Sequence, residues 1–325
     1  MDTDQMEVLP QRLRRAVLKA LAYFDLNAFP LTLLELRQAL YFDHLEHIPN
    51  KPKLSELEDL IKNNKTLNNL VRQKNGFYYL KGSEQNVPER QRRHYLKLDK
   101  WRQALKITKW LRHVPFLEMI AICNTVAGGV AHTKSDIDFF LIARPGRIWM
   151  VRLGAIIVTS LIGKRRRKNK ISNRACLSFI VTSDDLDLNK IALKPQDPYL
   201  AYWITQVSPL WGQATYDKFW QANKKTLQNV PYAKPVHLGP RFRSYYQHHS
   251  WLRELFEKIL KGKFGQSIEK TLSRSQKKRI TKSQQKQKPD KRANVIVSDK
   301  MLKFHEIDRR QQYVDKLQKK LDNLI

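Results

Sequence analysis

The chain of 325 residues carries 61 Lys and Arg against 30 Asp and Glu, so its formal net charge at pH 7 is +31. With 42% hydrophobic residues, most of the chain should fold around a substantial core, and its length predicts two or three domains. Residues 1–9 carry acids and no apolar stretch, so we expect no secretory signal peptide. Because no apolar run reaches the length of a bilayer span, we expect a cytoplasmic protein without a transmembrane segment.

The positive charge is unevenly distributed. Residues 1–80 hold 11 basic and 10 acidic side chains, whereas residues 81–325 hold 50 and 20. Six of the seven residues 164–170 are basic, and residues 258–292 hold 13 basic and 2 acidic side chains. Such clusters attract polyanions, so nucleic acid is the first candidate partner and an anionic membrane surface the second. A flexible, solvated basic loop is the alternative that needs no partner.

Residues 1–86 show the pattern of a compact helical module. Its first helix has apolar residues at helical spacing, namely Leu13, Val17, Leu18 and Leu21. Helices over 31–40, with Thr32 as N-cap, and over 53–63 follow, and Asn75-Gly76 between apolar runs predicts a hairpin. Three helices and a hairpin resemble a winged helix-turn-helix. Because the helix over 53–63 begins with acids, contact with protein or packing on the next domain competes with DNA binding as its role.

A basic helix over 89–113 leads into two apolar runs that carry the most informative residues of the chain. The first run, residues 119–123, stops at Asn124-Thr125, and the second begins with Asp136 and Asp138. Since side chains alternate along a strand, the two aspartates point the same way, roughly 7 Å apart at the backbone, while Ile137 and Phe139 point into a core. Paired carboxylates of this kind suit hard cations such as Mg²⁺.

These motifs resemble the nucleotidyltransferase superfamily, which has the polymerase-β-like fold, and the resemblance covers residues 115–182. The sequence signature of that family begins with an apolar strand that ends in Gly-Ser. About ten residues later, Asp-x-Asp lies in a second apolar strand. Asn124-Thr125 stands at the Gly-Ser position, and Asn tolerates the left-handed backbone that this turn needs. The resemblance implies an α+β core over 87–195, with a small mixed sheet flanked by helices. Asp136 and Asp138 would hold Mg²⁺ or Mn²⁺, and Asn124 and Thr125 would bind the phosphates of a nucleoside triphosphate.

The implied reaction moves a nucleoside monophosphate to RNA, protein or a small molecule. Active members usually carry a third carboxylate on a neighbouring strand. In the predicted strand 175–182, alternation puts Cys176, Ser178 and Ile180 on one face, with Ser178 at the position of that acid. Two alternatives therefore stay open, a degenerate domain that senses nucleotides and a domain that modifies or masks a partner protein. Cys123 and Cys176 have no zinc-site spacing and are interpreted as small buried side chains in a reducing compartment.

Residues 196–325 are expected to form a basic helical C-terminal region. Asp197-Pro198 has the pattern of a helix start, and residues 209–212 are expected to close that helix. Further helices are predicted over 216–227, 241–260 and 307–324, with a short strand over 293–297. Residues 273–293 are rich in Ser, Gln and Lys and are expected to form a mobile segment.

Overall fold

The computed structural model describes residues 3–43, 45, 48–237, 250–285, 294–305 and 308–324. The described helices are α1 Thr3–Asp25, α2 Leu33–Ala39, α3 Leu54–Asn63, α4 Lys65–Leu70, α5 Asn86–Leu111, α6 Asn124–Ala127, α7 Ile148–Leu161, α8 Pro198–Gln206, α9 Gln213–Ala222, α10 Lys224–Leu227, α11 Trp251–Ile259, α12 Lys263–Gln285 and α13 Arg310–Asp322. The described strands are β1 Leu31–Thr32, β2 Val71–Lys74, β3 Phe77–Leu80, β4 Leu117–Ile122, β5 Ile137–Ala143, β6 Ala175–Thr182, β7 Ser208–Trp211, β8 Asn294–Val297 and β9 Met301–His305. The chain thus has the mixed α+β architecture expected from its sequence.

The N-terminal helices pack around a three-stranded antiparallel sheet with the strand order β1-β3-β2. Thr32 caps α2 as expected, because its hydroxyl accepts from the amide of Glu35 while the Glu35 carboxylate accepts from the amide of Thr32. Asn75 and Gly76 both have positive φ, which confirms the predicted hairpin turn. The sequence did not predict α4, whose N-cap is Asn64.

The second sheet has six strands in the order β7-β4-β5-β6-β9-β8 and positions the predicted site. β5 runs parallel to β6, and the other strand pairs are antiparallel. α7 provides the crossover between the two parallel strands, as such a connection requires. A hydrophobic core lies on each face of this sheet, one around Phe140 and Phe179 and the other around Phe139 and Trp149.

The C-terminal region is less purely helical than its sequence predicts. Residues 208–211 form the edge strand β7 rather than a helix end, and β9 was not predicted at all. The prediction of a mobile segment over 273–293 is wrong for residues 273–285, which belong to α12. Residues 286–293 lie outside the described residues. α12 is held by tertiary contacts, since Glu269 accepts from the backbone amides of Trp149 and Met150 at 2.8 and 2.9 Å.

The helix predicted over 241–260 is described only as α11, because residues 241–249 lie outside the described residues. The predicted strand over 293–297 and the last helix are confirmed as β8 and α13.

The N-terminal module packs directly on the six-stranded sheet and its helices. The hydroxyl of Tyr202 in α8 donates to the carbonyl of Ala39 at 2.7 Å, and its ring lies 4.2 Å from the ring of Tyr23. At the other end of the module, the Tyr313 hydroxyl donates to the Asn27 side chain at 2.8 Å. The module therefore shares one continuous hydrophobic core with the sheet. Among all the helices described above, none combines the length and the apolar character that a membrane crossing demands.

Candidate active site

The two aspartates lie together where β5 begins, as the strand alternation predicts. Asp138 pairs in register with Cys176 of β6, and Asp136 directly precedes β5. One carboxylate oxygen of each aspartate and the Cys176 sulfur all lie within 4.8 Å of one another. Ile137 and Phe139 lie in the hydrophobic core on the opposite face of the sheet, so that part of the prediction is confirmed. The strand ends thus bring two carboxylates and one thiol to a single point.

Cys176 lies beside Asp138 and Ser178 lines the same cavity, so the alternation expected along β6 is confirmed for these two residues and wrong from Phe179 onward. The register shifts within this strand pair, because Cys176 lies opposite Asp138 whereas Phe179 lies opposite Phe140. One extra residue in β6 is a β-bulge, which puts Cys176 and Phe179 on the same face and Ile180 on the other. Ser178 is buried in the wall of the neighbouring cavity. The β6 side chain that lies closest to the two carboxylates is therefore a thiol.

Asn124 adopts the left-handed backbone that its sequence position suggested, with φ of 54°. The indole of Trp203 donates to the Asn124 side-chain oxygen at 2.8 Å, which fixes the orientation of the amide. The amide of Cys123 donates to the backbone carbonyl of Asp138 at 3.0 Å and so joins this turn to β5. Asn124 and Thr125 both line the cavity that also contains Asp138. The two sequence motifs are thus brought to one site.

Lys100 is a positioning residue that sequence reasoning missed. Its ammonium group is buried, with 2% of the residue exposed, and donates to the carbonyls of Thr133 and Ser135 at 3.2 and 2.7 Å and to the Asn173 side chain at 2.9 Å. Burial is the main reason that the pKa of Lys100 is lowered. These bonds fix the loop that precedes Asp136. In the sequence Lys100 is one of many basic residues on α5, so only its three acceptors distinguish it.

Burial strongly perturbs the pKa of the Asp138 carboxyl. Only 9% of the residue is exposed. This desolvation, together with the charge of Asp136, raises the pKa of Asp138 to about 6. Hydrogen bonds with Cys176 and Asn124 lower the pKa and offset part of this rise. The guanidinium of Arg166 supplies the nearby positive charge, with its Nε 3.2 Å from Asp136 and its Nη1 3.5 Å from the Cys176 sulfur. Because the Arg166 side chain is 48% exposed, it can move away from Asp136 without disturbing the core.

A cavity of about 940 Å³ opens beside these groups. The acidic side chains in its lining are Asp138 and Asp308, while the basic ones are Arg152, Arg165, Arg166, Arg167, Lys168, Lys303, Arg309 and Arg310. Arg310 pairs with Asp308 at 2.7 Å and with Asp197 at 3.1 Å, so its charge is compensated. Burial lowers the pKa of Lys303 and lowers that of Arg152 to about 10. A wall with this excess of positive charge suits a ligand with several negative charges.

The donor atoms fit a divalent cation. Two carboxylates are the usual protein ligands of Mg²⁺ and Mn²⁺, and three donors within 4.8 Å of one another can contact a single ion. The thiol of Cys176 adds a softer donor, which favours thiophilic cations such as Zn²⁺ or Cd²⁺ relative to a site made of oxygen alone. Burial and the two aspartates raise the pKa of Cys176 to about 12, so a cation that binds its thiolate displaces a proton.

Comparison of the chain with protein-family models, with curated proteins and with solved structures gave no significant match. The function of the site is therefore inferred from its own residues and their surroundings.

Proposed function

We propose that this protein is a metal-dependent nucleotidyltransferase that moves a nucleoside monophosphate from a nucleoside triphosphate to RNA, a protein or a small molecule. The observation that carries the proposal is the convergence of Asp136 and Asp138 beside a cavity with a basic wall. Carboxylates alone suggest a cation, and basic residues alone suggest an anion. The two together match a metal–triphosphate complex, which presents both charges. The parallel pair β5–β6 and its crossover helix are compatible with the proposed nucleotidyltransferase fold.

Asp136 and Asp138, together with Cys176, would hold Mg²⁺ or Mn²⁺ in this proposal. A cation held by these residues would supply positive charge that offsets the charge of the phosphates. Thr125 would contact a phosphate through its hydroxyl, beside Asn124, whose side chain Trp203 holds in place. The basic wall would bind the phosphate tail and compensate the charge that develops on pyrophosphate as it leaves. An oxygen of the acceptor would form the new bond to the α-phosphorus as the bond to pyrophosphate breaks.

Arg166 would change partners when the substrate binds. It now contacts Asp136 and Cys176, two of the groups that would hold the cation. The Arg166 guanidinium would be repelled by a cation held at this point and would find new oxygen acceptors on a triphosphate in the cavity. Arg166 also lines the cavity, so a rotation of its exposed side chain is enough for the exchange. We infer that Arg166 protects the two acids from mutual repulsion until the substrate arrives.

A polyanionic acceptor such as RNA is favoured by the position of the basic cluster 164–170. Its members Arg165, Arg167 and Lys168 are exposed and also line the cavity, so they can contact a nucleic acid strand whose end enters the site. The strand order β1-β3-β2 and the helices before it support a winged-helix-like module in residues 1–86. A cytoplasmic location is part of the same proposal, since Cys123 and Cys176 are both free and buried.

A catalytically degenerate protein that binds nucleotides and responds to them is the second candidate. It is favoured by one observation, that β6 contributes the thiol of Cys176 and the hydroxyl of Ser178 to this site and no carboxylate. Two carboxylates offset less of the charge of two divalent cations than three do. Such a protein would bind a triphosphate in the same cavity and release it unchanged.

Incubation with α-labelled nucleoside triphosphates, with Mg²⁺ or Mn²⁺ and with candidate acceptors, tests the proposal. We expect a labelled product that disappears in Asp136→Asn and in Asp138→Asn. The control is Asp217→Asn, an equal change of charge at an exposed residue of α9. Triphosphate binding without a labelled product from any acceptor class would favour the degenerate protein, and wild-type transfer rates in both site variants would contradict the site itself.

A further inference from the structure

Helix α11 presents its apolar side chains to solvent. Trp251, Leu252, Leu255, Phe256 and Ile259 recur at helical spacing and have exposed fractions between 41% and 69%. Single exposed apolar residues are common on protein surfaces, but a contiguous apolar helix face is not. We call these five residues the α11 face. Phe264, just beyond the helix, is also 64% exposed.

The orientation of α11 is fixed by specific contacts on its other side. The guanidinium of Arg253 stacks on the ring of Trp211 at 5.0 Å and donates to Glu257 at 2.7 Å. Glu257 in turn accepts from the amide of Phe116 at 2.8 Å and pairs with Arg144 at 3.3 Å. Arg253 and Glu257 thus face the protein, and the apolar residues face away from it. A helix turned this way has a surface suited to an apolar environment outside the described residues.

The surroundings of the α11 face are positively charged. Lys258, Lys261 and Lys263 lie within or just after α11 and are all exposed, and they outnumber the one exposed acid of the helix, Glu254. Trp and Phe side chains favour the boundary between water and lipid, and Lys side chains beside them can reach anionic headgroups. A short helix with an apolar face and adjacent lysines is the arrangement that lies in the plane of a membrane surface.

We propose that the α11 face, together with Phe264, binds an anionic membrane surface. A second copy of the chain is the competing occupant, but each copy carries a net charge of +31, and the resulting repulsion opposes self-association. Nucleic acid would satisfy the lysines yet would leave the apolar face in water. An anionic bilayer satisfies both, because its headgroups attract the lysines and its acyl boundary accepts the apolar side chains. This binding is independent of the chemistry proposed for the cavity.

Co-sedimentation of the full chain with lipid vesicles tests the proposal. We expect binding to vesicles of phosphatidylcholine mixed with phosphatidylserine and little binding to phosphatidylcholine alone. Leu255→Glu should weaken that binding by roughly tenfold, because it places a charge within the apolar face. The matched control is Leu34→Glu in α2, since Leu34 and Leu255 are both leucines with 45% exposure and the change of charge is the same.

Equal weakening by the two substitutions would show that net charge alone drives binding and would overturn the proposal. The absence of binding to phosphatidylserine vesicles would overturn it as well. Sedimentation velocity gives a third test, since self-association that Leu255→Glu abolishes would identify a second copy as the occupant. Circular dichroism establishes that both variants are folded, and Leu255→Ala repeats the measurement with no added charge.

Discussion

The cavity beside Asp138 and the α11 face depart from the usual distribution of side chains in opposite ways. The cavity buries charged groups, among them Asp138 and Lys303, whereas α11 exposes five large apolar side chains. Both arrangements cost folding free energy, because a buried charge loses its hydration and an exposed apolar surface keeps water ordered around it. A ligand of the right chemistry would offset part of that cost. The proposed ligands differ accordingly. The cavity would bind a charged metal–triphosphate complex, and the α11 face would bind the surface of a membrane.

The two regions also differ in how they are supported. The acids of the cavity are fixed through backbone elements, by the Lys100 contacts on one side and the Trp203–Asn124 bond on the other. The α11 face is fixed through side chains, by the Arg253 and Glu257 contacts. A substitution in the cavity is therefore expected to change binding and stability together. A substitution on the α11 face is expected to change binding alone.

The largest effect is expected for Cys176→Ser on thiophilic cations. Cd²⁺ bound to a thiolate gives a charge-transfer absorption in the ultraviolet, so the cavity should produce this band on titration with Cd²⁺. Loss of the sulfur should abolish the band and weaken Cd²⁺ binding by about 100-fold, while Mg²⁺ binding, which depends on the carboxylates, should change by less than about threefold. The control is Cys123→Ala, which removes the other buried thiol. A band that disappears in this control and persists in Cys176→Ser would contradict the assigned ligand.

The next effect is a gain of stability in Asp138→Asn. Since the pKa of Asp138 is raised to about 6 in the folded chain from its usual 3.8, the folded state keeps a proton that the unfolded state has lost between these values. The free energy of unfolding therefore decreases as pH rises through this window, and the full cost persists above it. Asp138→Asn carries no ionisable group there and should raise the free energy of unfolding by roughly 2–3 kcal/mol at alkaline pH. This gain in the free energy of unfolding should vanish at pH values below 3.8, the usual pKa of an aspartate, because Asp138 is then protonated in both states.

Urea denaturation at several pH values measures this difference. Asp136→Asn is the comparison, because Asp136 faces the half-exposed Arg166, and its loss should change the free energy of unfolding by less than about 1 kcal/mol. If Asp138→Asn is less stable than the wild type at alkaline pH, the buried carboxylate is stabilised by a partner and not strained by its burial.

A smaller effect is expected for Arg152→Gln on triphosphate binding. Arg152 lines the cavity, donates to Gln276 and lies 5.0 Å from the ring of Phe304, so its position is fixed. Removal of one charge-assisted contact should weaken the binding of a nucleoside triphosphate by roughly tenfold in a calorimetric titration. Arg72→Gln makes the same change in the N-terminal module and should leave the affinity unchanged. Equal effects of both variants would indicate attraction by net charge and not a contact in the cavity.

The smallest effect is expected for Leu255→Ala on stability. Its side chain is already exposed, so truncation should change the free energy of unfolding by less than about 0.5 kcal/mol. Leu260, at the end of the same helix, packs against the core. Its replacement by Ala should lower the free energy of unfolding by about 1.5 kcal/mol. Thermal and urea unfolding of the two variants measure the difference. A larger loss in Leu255→Ala than in Leu260→Ala would mean that the α11 face is covered in the free protein.

Some parts of the fold and of the site were predictable because they depend on a few neighbouring residues. The capped start of α2 and the hairpin at Asn75-Gly76 follow from local backbone preferences. The shared direction of Asp136 and Asp138 follows from the strand period of two residues. The local structure of these short segments can be predicted without knowing which residues pack around them.

Other parts were not predictable because distant residues decide them. α12 has the composition of a mobile segment, yet contacts such as those of Glu269 with α7 hold it as a helix. The strands β7 and β9 are short, and their pairing with β4 and β6 defines them. Local propensity is weak in such segments, so tertiary contacts override it.

The sequence by itself determined that two carboxylates share one side of a strand, next to a turn that accepts a left-handed asparagine, in a strongly basic chain. Tertiary structure alone decided the rest of the site. The register between β5 and β6 decided that Cys176 lies beside Asp138, and a single extra residue in β6 turned Phe179 toward the cavity and Ile180 away from it. Contacts of Arg253 and Glu257 decided which face of α11 meets solvent. The physical reason is that alternation and turn preferences act over a few residues, whereas register and helix orientation depend on packing between segments far apart in the chain.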